Sequence, residues 1–365
     1  MIANSPSLHG LKNCKPMLLT LFFIIVLISK PYFIAATQHY PGKIWNKVQT
    51  PEELRWSSEQ LKLARQYSES IGSAAVMIIV NGEILDEWGE TTKKFDVRSI
   101  MKNFMNALYG IAVRDGTINI QSTLAELNID DNEPSLTPAE KQARVTDLLK
   151  ARSGVYHVSS ADTPAMKEGK PQRGSHPPGT FWYYHNWDFC ALGGIYERAT
   201  KSSLFEDFNR LIAQPLEMED FQLGDTTYRR GPESMYPWYS FRISARDLAR
   251  FGLLYVRQGA WQGKQVVPRP WIDESLKPYS DASSWGRGGY GMLWWVTVHN
   301  RLFPNVEVGN TAFAGTGLGG HYLVMIPDMD AVVVHRTNTD MTRHRINDKQ
   351  FGNLLKMILD ARMKQ

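Results

Sequence analysis

The chain has 365 residues, 43% of them hydrophobic, enough for a sizeable core in roughly one to three domains. Its formal net charge of +4 is an N-terminal effect: with Lys12, Lys15 and Lys30 set aside, 38 basic groups face 37 acidic ones. No basic tract is long enough to form a nucleic-acid or anionic-membrane patch, which argues against either as a partner.

The N-terminus reads as a targeting segment. The first 36 residues hold three lysines and no acid. Met17 to Ser29 (MLLTLFFIIVLIS) is an apolar run stopped by Lys30, shorter than the roughly 20 residues that span a bilayer. Ile34-Ala35-Ala36 offers a small-residue cleavage point before Thr37. The expectation is a secretory signal, with an uncleaved N-terminal anchor as the alternative. Either one exports the body of the protein to the periplasm or medium, and only an uncleaved segment would associate with membrane. Cys190 is then the single cysteine of the mature chain, so no internal disulfide is expected. It lies in an apolar helical stretch, WDFCALGGIYERA, and suits a buried small hydrophobe.

The elements follow in order. Ser57-x-x-Gln60 is a capping-box pattern, and a helix runs from it to about Ser70. SAAVMIIV, Asn81-Gly82 and EILDEW predict a tight hairpin. DVRSIMKNFMN (Asp96 to Asn106) predicts a helix ending near Asp115-Gly116. On that helix Ser99, Lys102, Asn103 and Asn106 share one flank, opposite Met101, Phe104, Met105, Leu108, Ile111 and Ala112. Residues from about 117 to 285 carry few clear strands. Thr137-Pro138-x-Glu140 marks a helix start, VTDLLKARSG a short helix closed by Gly154, and 157–181 a long ordered loop. Ile243 to Gly259 predicts an amphipathic helix with a glycine stop. Strands return in MLWWVTV, VEVGNT, HYLVMI and AVVVH, and KQFGNLLKMILDARM closes the chain as a helix.

This order predicts an α+β fold. The β-rich ends, 37–98 and 286–365, should join into one antiparallel sheet flanked by helices, and 99–285 should form a mainly helical part. The crevice between them is the expected site.

Three segments carry candidate chemistry. In Ser99-x-x-Lys102, a lysine amine one helical turn away can take the proton of a serine hydroxyl, which is otherwise a poor nucleophile. The bland reading is a solvated helix flank. In Tyr184-His185-Asn186, the tyrosine can relay a proton, and the asparagine can hold the lysine or a substrate carbonyl, or simply cap the next helix. Ala314 to Pro327 (AGTGLGGHYLVMIP) contains Gly315-x-Gly317-x-x-Gly320, formally a dinucleotide fingerprint. It opens a hairpin instead of a helix, which argues against nucleotide binding. Gly317, Gly319 and Gly320 suit close approach of a ligand to an edge strand, whose N–H can hold an oxyanion with that of Ser99. His321, just after them, is open to a structural or a substrate-contact role. The nine histidines show no zinc spacing, so neither metal nor cofactor is expected.

Taken in order, these segments resemble the serine β-lactamase and penicillin-binding-protein superfamily, whose signature includes Ser-x-x-Lys. The nearest likeness is to class C β-lactamase-related serine hydrolases, the branch with esterases and 6-aminohexanoate-dimer hydrolase. Ser99-Ile-Met-Lys102 matches the first motif and Tyr184-His185-Asn186 the Tyr-x-Asn form of the second. LLKARSGVYH, NWDFCALGGIYERAT and SARDLARFGLLYVRQGAWQGKQVVP look like segments found between the motifs. The resemblance implies a β-lactamase/transpeptidase-like fold and an acyl-enzyme on Ser99, with Lys102 and Tyr184 as general base and Asn186 as orienting group. The substrate would be a small ester, amide or peptide-like molecule. One departure stands out. No Lys or His precedes the glycines of the third motif, where a cation usually helps hold a substrate carboxylate. Less anionic substrates are therefore expected. A non-catalytic envelope binding protein, or a weak β-lactamase or D-Ala peptidase, are the alternatives.

Overall fold

The computed structural model describes residues 38–341 and 344–363. The targeting segment expected over 1–36 lies outside the described residues. Among the described residues no helix is long and apolar enough to cross a membrane.

Ser57 caps α1 (Ser58–Ser70), its hydroxyl accepting from the Gln60 amide at 3.3 Å. β1 (Ala75–Val80) and β2 (Glu83–Gly89) form the expected hairpin. Both turn residues are left-handed, Asn81 at φ 53° and Gly82 at φ 80°, as a type I′ turn requires. β3 (Phe95–Asp96) and a single 3₁₀ turn (Arg98–Ile100) lead into α2 (Met101–Arg114). The polar flank of α2 is not wet: Lys102, Asn103 and Asn106 are all buried. The Thr137 helix start is a 3₁₀ turn, Glu140–Gln142, closed by reciprocal Thr137–Glu140 bonds. Two short helices, Val145–Leu149 and Pro164–Glu168, precede α3 (Asn186–Thr200).

The middle of the chain holds a hairpin that the sequence reading did not anticipate. β4 (Thr226–Gly231) and β5 (Ser234–Ile243) pair antiparallel, and β5 also pairs with β3. α4 (Ala245–Val256) follows, capped by Ser244. Then come β6 (Ser280–Asp281), β7 (Gly289–Tyr290), β8 (Trp295–Val296), β9 (Phe313–Gly317), β10 (His321–Ile326), β11 (Ala331–Arg336) and α5 (Asp348–Asp360). MLWWVTV yields only the two residues of β8, because Leu293 takes a left-handed φ of 64° and the Gly291 amide turns back onto the Trp294 carbonyl.

The two ends meet as β1 pairs with β11, in an antiparallel sheet of order β2-β1-β11-β10-β9-β8-β7-β6. Alternation along β10 and β11 decides what each face packs against. Leu323 and Val332 meet α4, where a methyl on Gly252 would lie 2.6 Å from Val332 Cγ1. Tyr322 and His335 meet α5, with Tyr322 stacked on Phe351 at 3.8 Å between centroids. So α4, from the stretch expected to be a separate helical part, covers one face of the sheet. β8 pairs with β9 only at Phe313 and Ala314, and the edge from Gly315 to Gly317 continues past it.

Candidate active site

The 3₁₀ turn that carries Ser99 is held by Asp96. Its buried carboxylate accepts from the Arg98 amide at 2.9 Å, Arg229 Nη2 at 2.7 Å and Ser240 Oγ at 3.2 Å. Arg98 adopts a left-handed φ of 54°, a conformation costing on the order of 1 kcal/mol, and this swings Ser99 out of the β3 line. The Lys102 amine then lies 2.7 Å from the Ser99 hydroxyl.

Lys102 is buried and boxed by aromatic rings. Its Nζ is 4.5 Å from the ring centroids of Phe189 and Trp238 and 5.0 Å from that of Tyr184. Burial pushes its pKa below the ordinary lysine value, with Tyr184 opposing. The neutral amine that burial favours is a base facing a serine hydroxyl.

Above Ser99 opens a cavity of about 900 Å³. Tyr184, Trp238, Trp285, Trp295 and Tyr322 wall it, Ser160 to Met166 contribute from the long loop, and Thr316 to Gly320 form one side. In the Leu318–Gly320 turn, the Gly320 amide donates to the Gly317 carbonyl. Among the described residues the Leu318 and Gly319 amides have no such acceptor, so they are the turn's available donors. Gly315 is a glycine by necessity: a methyl there would fall 2.1 Å from Asn103 Oδ1.

The sequence-predicted residues divide. Ser99, Tyr184, Asn186, Gly317, Gly319 and Gly320 line the cavity, with Lys102 directly behind Ser99. Asn186 is the first residue of α3, and its Nδ2 donates to the Ala161 carbonyl at 3.0 Å, tying down the long loop instead of Lys102. His321 does not line the cavity. The Gly317–His321 register places it on the Leu323 side of β10, where its Nδ1 accepts from the buried Arg336 and its Nε2 meets Thr339 Oγ1. Burial and the adjacent guanidinium hold its pKa well below the usual histidine value. Its part is structural. Sequence reading missed Asp96, Phe189 and Arg287, whose partners lie far along the chain. Trp238 and Trp295 stood inside aromatic stretches that serve a core equally well.

A sequence model of the family described as Beta-lactamase matches residues 61–354, most of the chain. The chain belongs to the beta-lactamase family. Within that family it is 25% identical over 274 residues to 6-aminohexanoate-dimer hydrolase of Paenarthrobacter ureafaciens. The match takes in 70% of this chain and 62% of that protein, so the chain spans less than two thirds of its relative's length. Solved structures share the beta-lactamase fold. A Bacillus anthracis protein assigned as a 6-aminohexanoate-dimer hydrolase superposes with a TM-score of 0.62 at 18% identity, over 90% of this chain and 91% of that one. A family VIII carboxylesterase gives 0.61 at 14% identity, over 87% and 99%. Among the described residues no three His, Cys, Asp or Glu side chains converge as metal ligands.

Proposed function

We propose that the chain is a serine hydrolase that cleaves an ester or amide through an acyl-enzyme on Ser99. The observation that supports this most is the 2.7 Å contact between the Ser99 hydroxyl and a buried lysine amine, whose pKa burial lowers, at the floor of an open cavity. Lys102 takes the Oγ proton as Oγ attacks the carbonyl carbon. The Ser99 amide at the helix start and the Leu318 or Gly319 amide hold the oxyanion. As the Oγ–C bond forms and the bond to the leaving alcohol or amine breaks, the proton passes through Tyr184 to the leaving atom. Water repeats the sequence in reverse: its hydroxide joins the acyl carbon, the carbon–Oγ bond breaks, and its proton returns to Oγ. The names of its relatives, a 6-aminohexanoate-dimer hydrolase and a carboxylesterase, agree with this class of reaction.

The test is covalent labelling by a fluorophosphonate together with turnover of 4-nitrophenyl acetate. Both are expected in the native chain and neither in Ser99→Ala. Hydrolysis by Ser99→Ala at the native rate would refute the mechanism, and stable labelling without turnover would point to a binding protein instead.

A further inference from the structure

Three consecutive residues at the end of β11 grip both sides of the proposed oxyanion hole. His335 Nδ1 and Thr337 Oγ1 donate to the Gly320 carbonyl, at 2.7 and 3.1 Å. Arg336, between them, points to the opposite face, as alternate residues of an extended segment do, and is wholly buried. Its Nη2 donates to the Phe95 and Asp96 carbonyls at 2.9 and 3.2 Å, and its Nη1 to the Ile243 carbonyl at 2.9 Å. Its Nε donates to His321 Nδ1 at 3.1 Å. Phe95 and Asp96 come just before the turn that carries Ser99, and His321 comes just after the Leu318–Gly320 turn. One planar group therefore bonds to both segments that supply oxyanion donors. The two segments also touch: a methyl on Gly317 would lie 2.5 Å from the Val97 carbonyl oxygen.

This is a costly way to fill a core. The acceptors on Arg336 are three peptide carbonyls and an imidazole, and among the described residues no carboxylate bonds to it. Burial lowers its pKa to about 9, which leaves it charged at neutral pH. A buried charge without a bonded counter-ion destabilises a fold, whereas a well-packed apolar side chain does not. What a guanidinium adds is a planar fork of donors at fixed angles. His321 completes the arrangement. Its Nδ1 is the acceptor, so its proton sits on Nε2, facing Thr339 Oγ1 at 3.1 Å. Neither Arg336 nor His321 lines the cavity.

We infer that Arg336 is a positioning residue for the hydrolysis: with His321 as its acceptor, it sets the spacing between the Ser99 amide and the Leu318 and Gly319 amides. The inference rests on the hydrolase reading of the same site. Donors on two separate segments stabilise an oxyanion only when both stand within hydrogen-bond reach of one oxygen, so whatever fixes the segments fixes the hole. Arg336 touches no reacting atom and acts through the backbone that it holds.

The experiment compares 4-nitrophenyl acetate with its thionoester, in which sulfur replaces the carbonyl oxygen, on the full chain. Sulfur accepts hydrogen bonds poorly, so the thionoester gains little from the oxyanion donors and reports on the rest of the machinery. Arg336→Met should lower kcat on the oxygen ester by at least about tenfold, the scale of a misplaced donor, while KM stays within about threefold. The oxygen-to-sulfur ratio of kcat/KM should fall by about the same tenfold. His321→Asn puts an oxygen close to where Nδ1 accepts from Arg336, whereas His321→Leu is of similar size to it and offers no acceptor. The first should keep the native ratio within about threefold, and the second should lower it as Arg336→Met does. An Arg336→Met chain that loses both esters equally would overturn the inference, since a loosened core slows every reaction alike. Equal ratios in His321→Asn and His321→Leu would overturn it too, and that pair decides the matter should Arg336→Met fail to fold. The hydrolase reading fails in a different way. Ester turnover that survives Ser99→Ala removes that reading and this one together. Turnover lost in Ser99→Ala, with an unchanged ratio in Arg336→Met, removes this one alone.

Discussion

Lys102→Met separates catalysis from stability more sharply than any other substitution in this site. Methionine keeps the length and bulk of the lysine stem and removes the amine 2.7 Å from Ser99 Oγ. Loss of a positioned general base costs about 10²–10⁴-fold in rate, roughly 3–5 kcal/mol of transition-state stabilisation. Stability should move the other way. Burial lowers the folded-state pKa of Lys102 from its ordinary 10.5. Between that lowered value and 10.5 the unfolded chain holds a proton that the folded chain lacks, so this group makes stability rise with pH across the window. Below the window the group subtracts most from stability, because an amine that prefers water and a proton is boxed by Phe189, Trp238 and Tyr184. Lys102→Met should therefore melt at or above the native temperature at neutral pH, the difference closing as pH approaches 10.5. The assay is 4-nitrophenyl acetate hydrolysis alongside thermal melts followed by circular dichroism at several pH values. A variant that keeps more than a tenth of native kcat/KM, or that melts several degrees lower at neutral pH, would refute the assignment of Lys102 as a buried base.

Tyr184→Phe should lower kcat by roughly 10²-fold while leaving fluorophosphonate labelling of Ser99 detectable, measured by steady-state kinetics and gel fluorescence. Gly315→Ala should destabilise the fold by about 1–3 kcal/mol, read from the urea midpoint, because its methyl meets Asn103 Oδ1 at 2.1 Å while the Asn103 amide is committed to the Leu293 carbonyl. His335 is buried on the Gly320 carbonyl and Ser73, and burial lowers its pKa from 6.5 to about 4. The unfolded chain binds the extra proton between those values, so this group makes stability fall as pH drops from 6.5 toward 4, by at most about 1.4 kcal/mol per pH unit. His335→Gln should flatten that part of the stability–pH curve.

Local signals were legible wherever the cause was local. The Ser57 cap, the Asn81-Gly82 turn and the glycine stop after α4 each act within a few residues, and the structure places each where the pattern does. The β4–β5 hairpin was not legible. Its second strand contains Pro237 and is buried along nearly its whole length, so neither alternation nor an unbroken β-branched run marks it. Neighbouring aromatics serve as core and as pocket wall here: Tyr239 packs inside, while Trp238 lines the cavity and covers Lys102.

The polar flank of α2 shows why the site was only half legible. Spacing put Ser99, Lys102, Asn103 and Asn106 on one side, and that side turned out to be dry. Asn103 donates to the Leu293 carbonyl, and Asn106 donates to Ser275 Oγ and the Met292 carbonyl while accepting from Tyr255. Those bonds fix the turn that carries Met292 to Trp295, and with it the wall on which Arg287 rests. A flank bonded in this way along its C-terminal half has one place left to open, at Ser99. Periodicity names the residues on a helix face, but whether the face meets water depends on partners that here lie more than 140 residues away. The same holds for charge. Reading along β9 finds a missing cation, while the fold brings Arg287 to Thr316 from 29 residues upstream. A motif defined by consecutive residues records where a charge is attached to the chain, whereas a substrate responds to where that charge stands in space. Loss of the third-motif cation from a sequence is therefore weak evidence for loss of carboxylate recognition, unless the loops that face the strand are charge-poor as well.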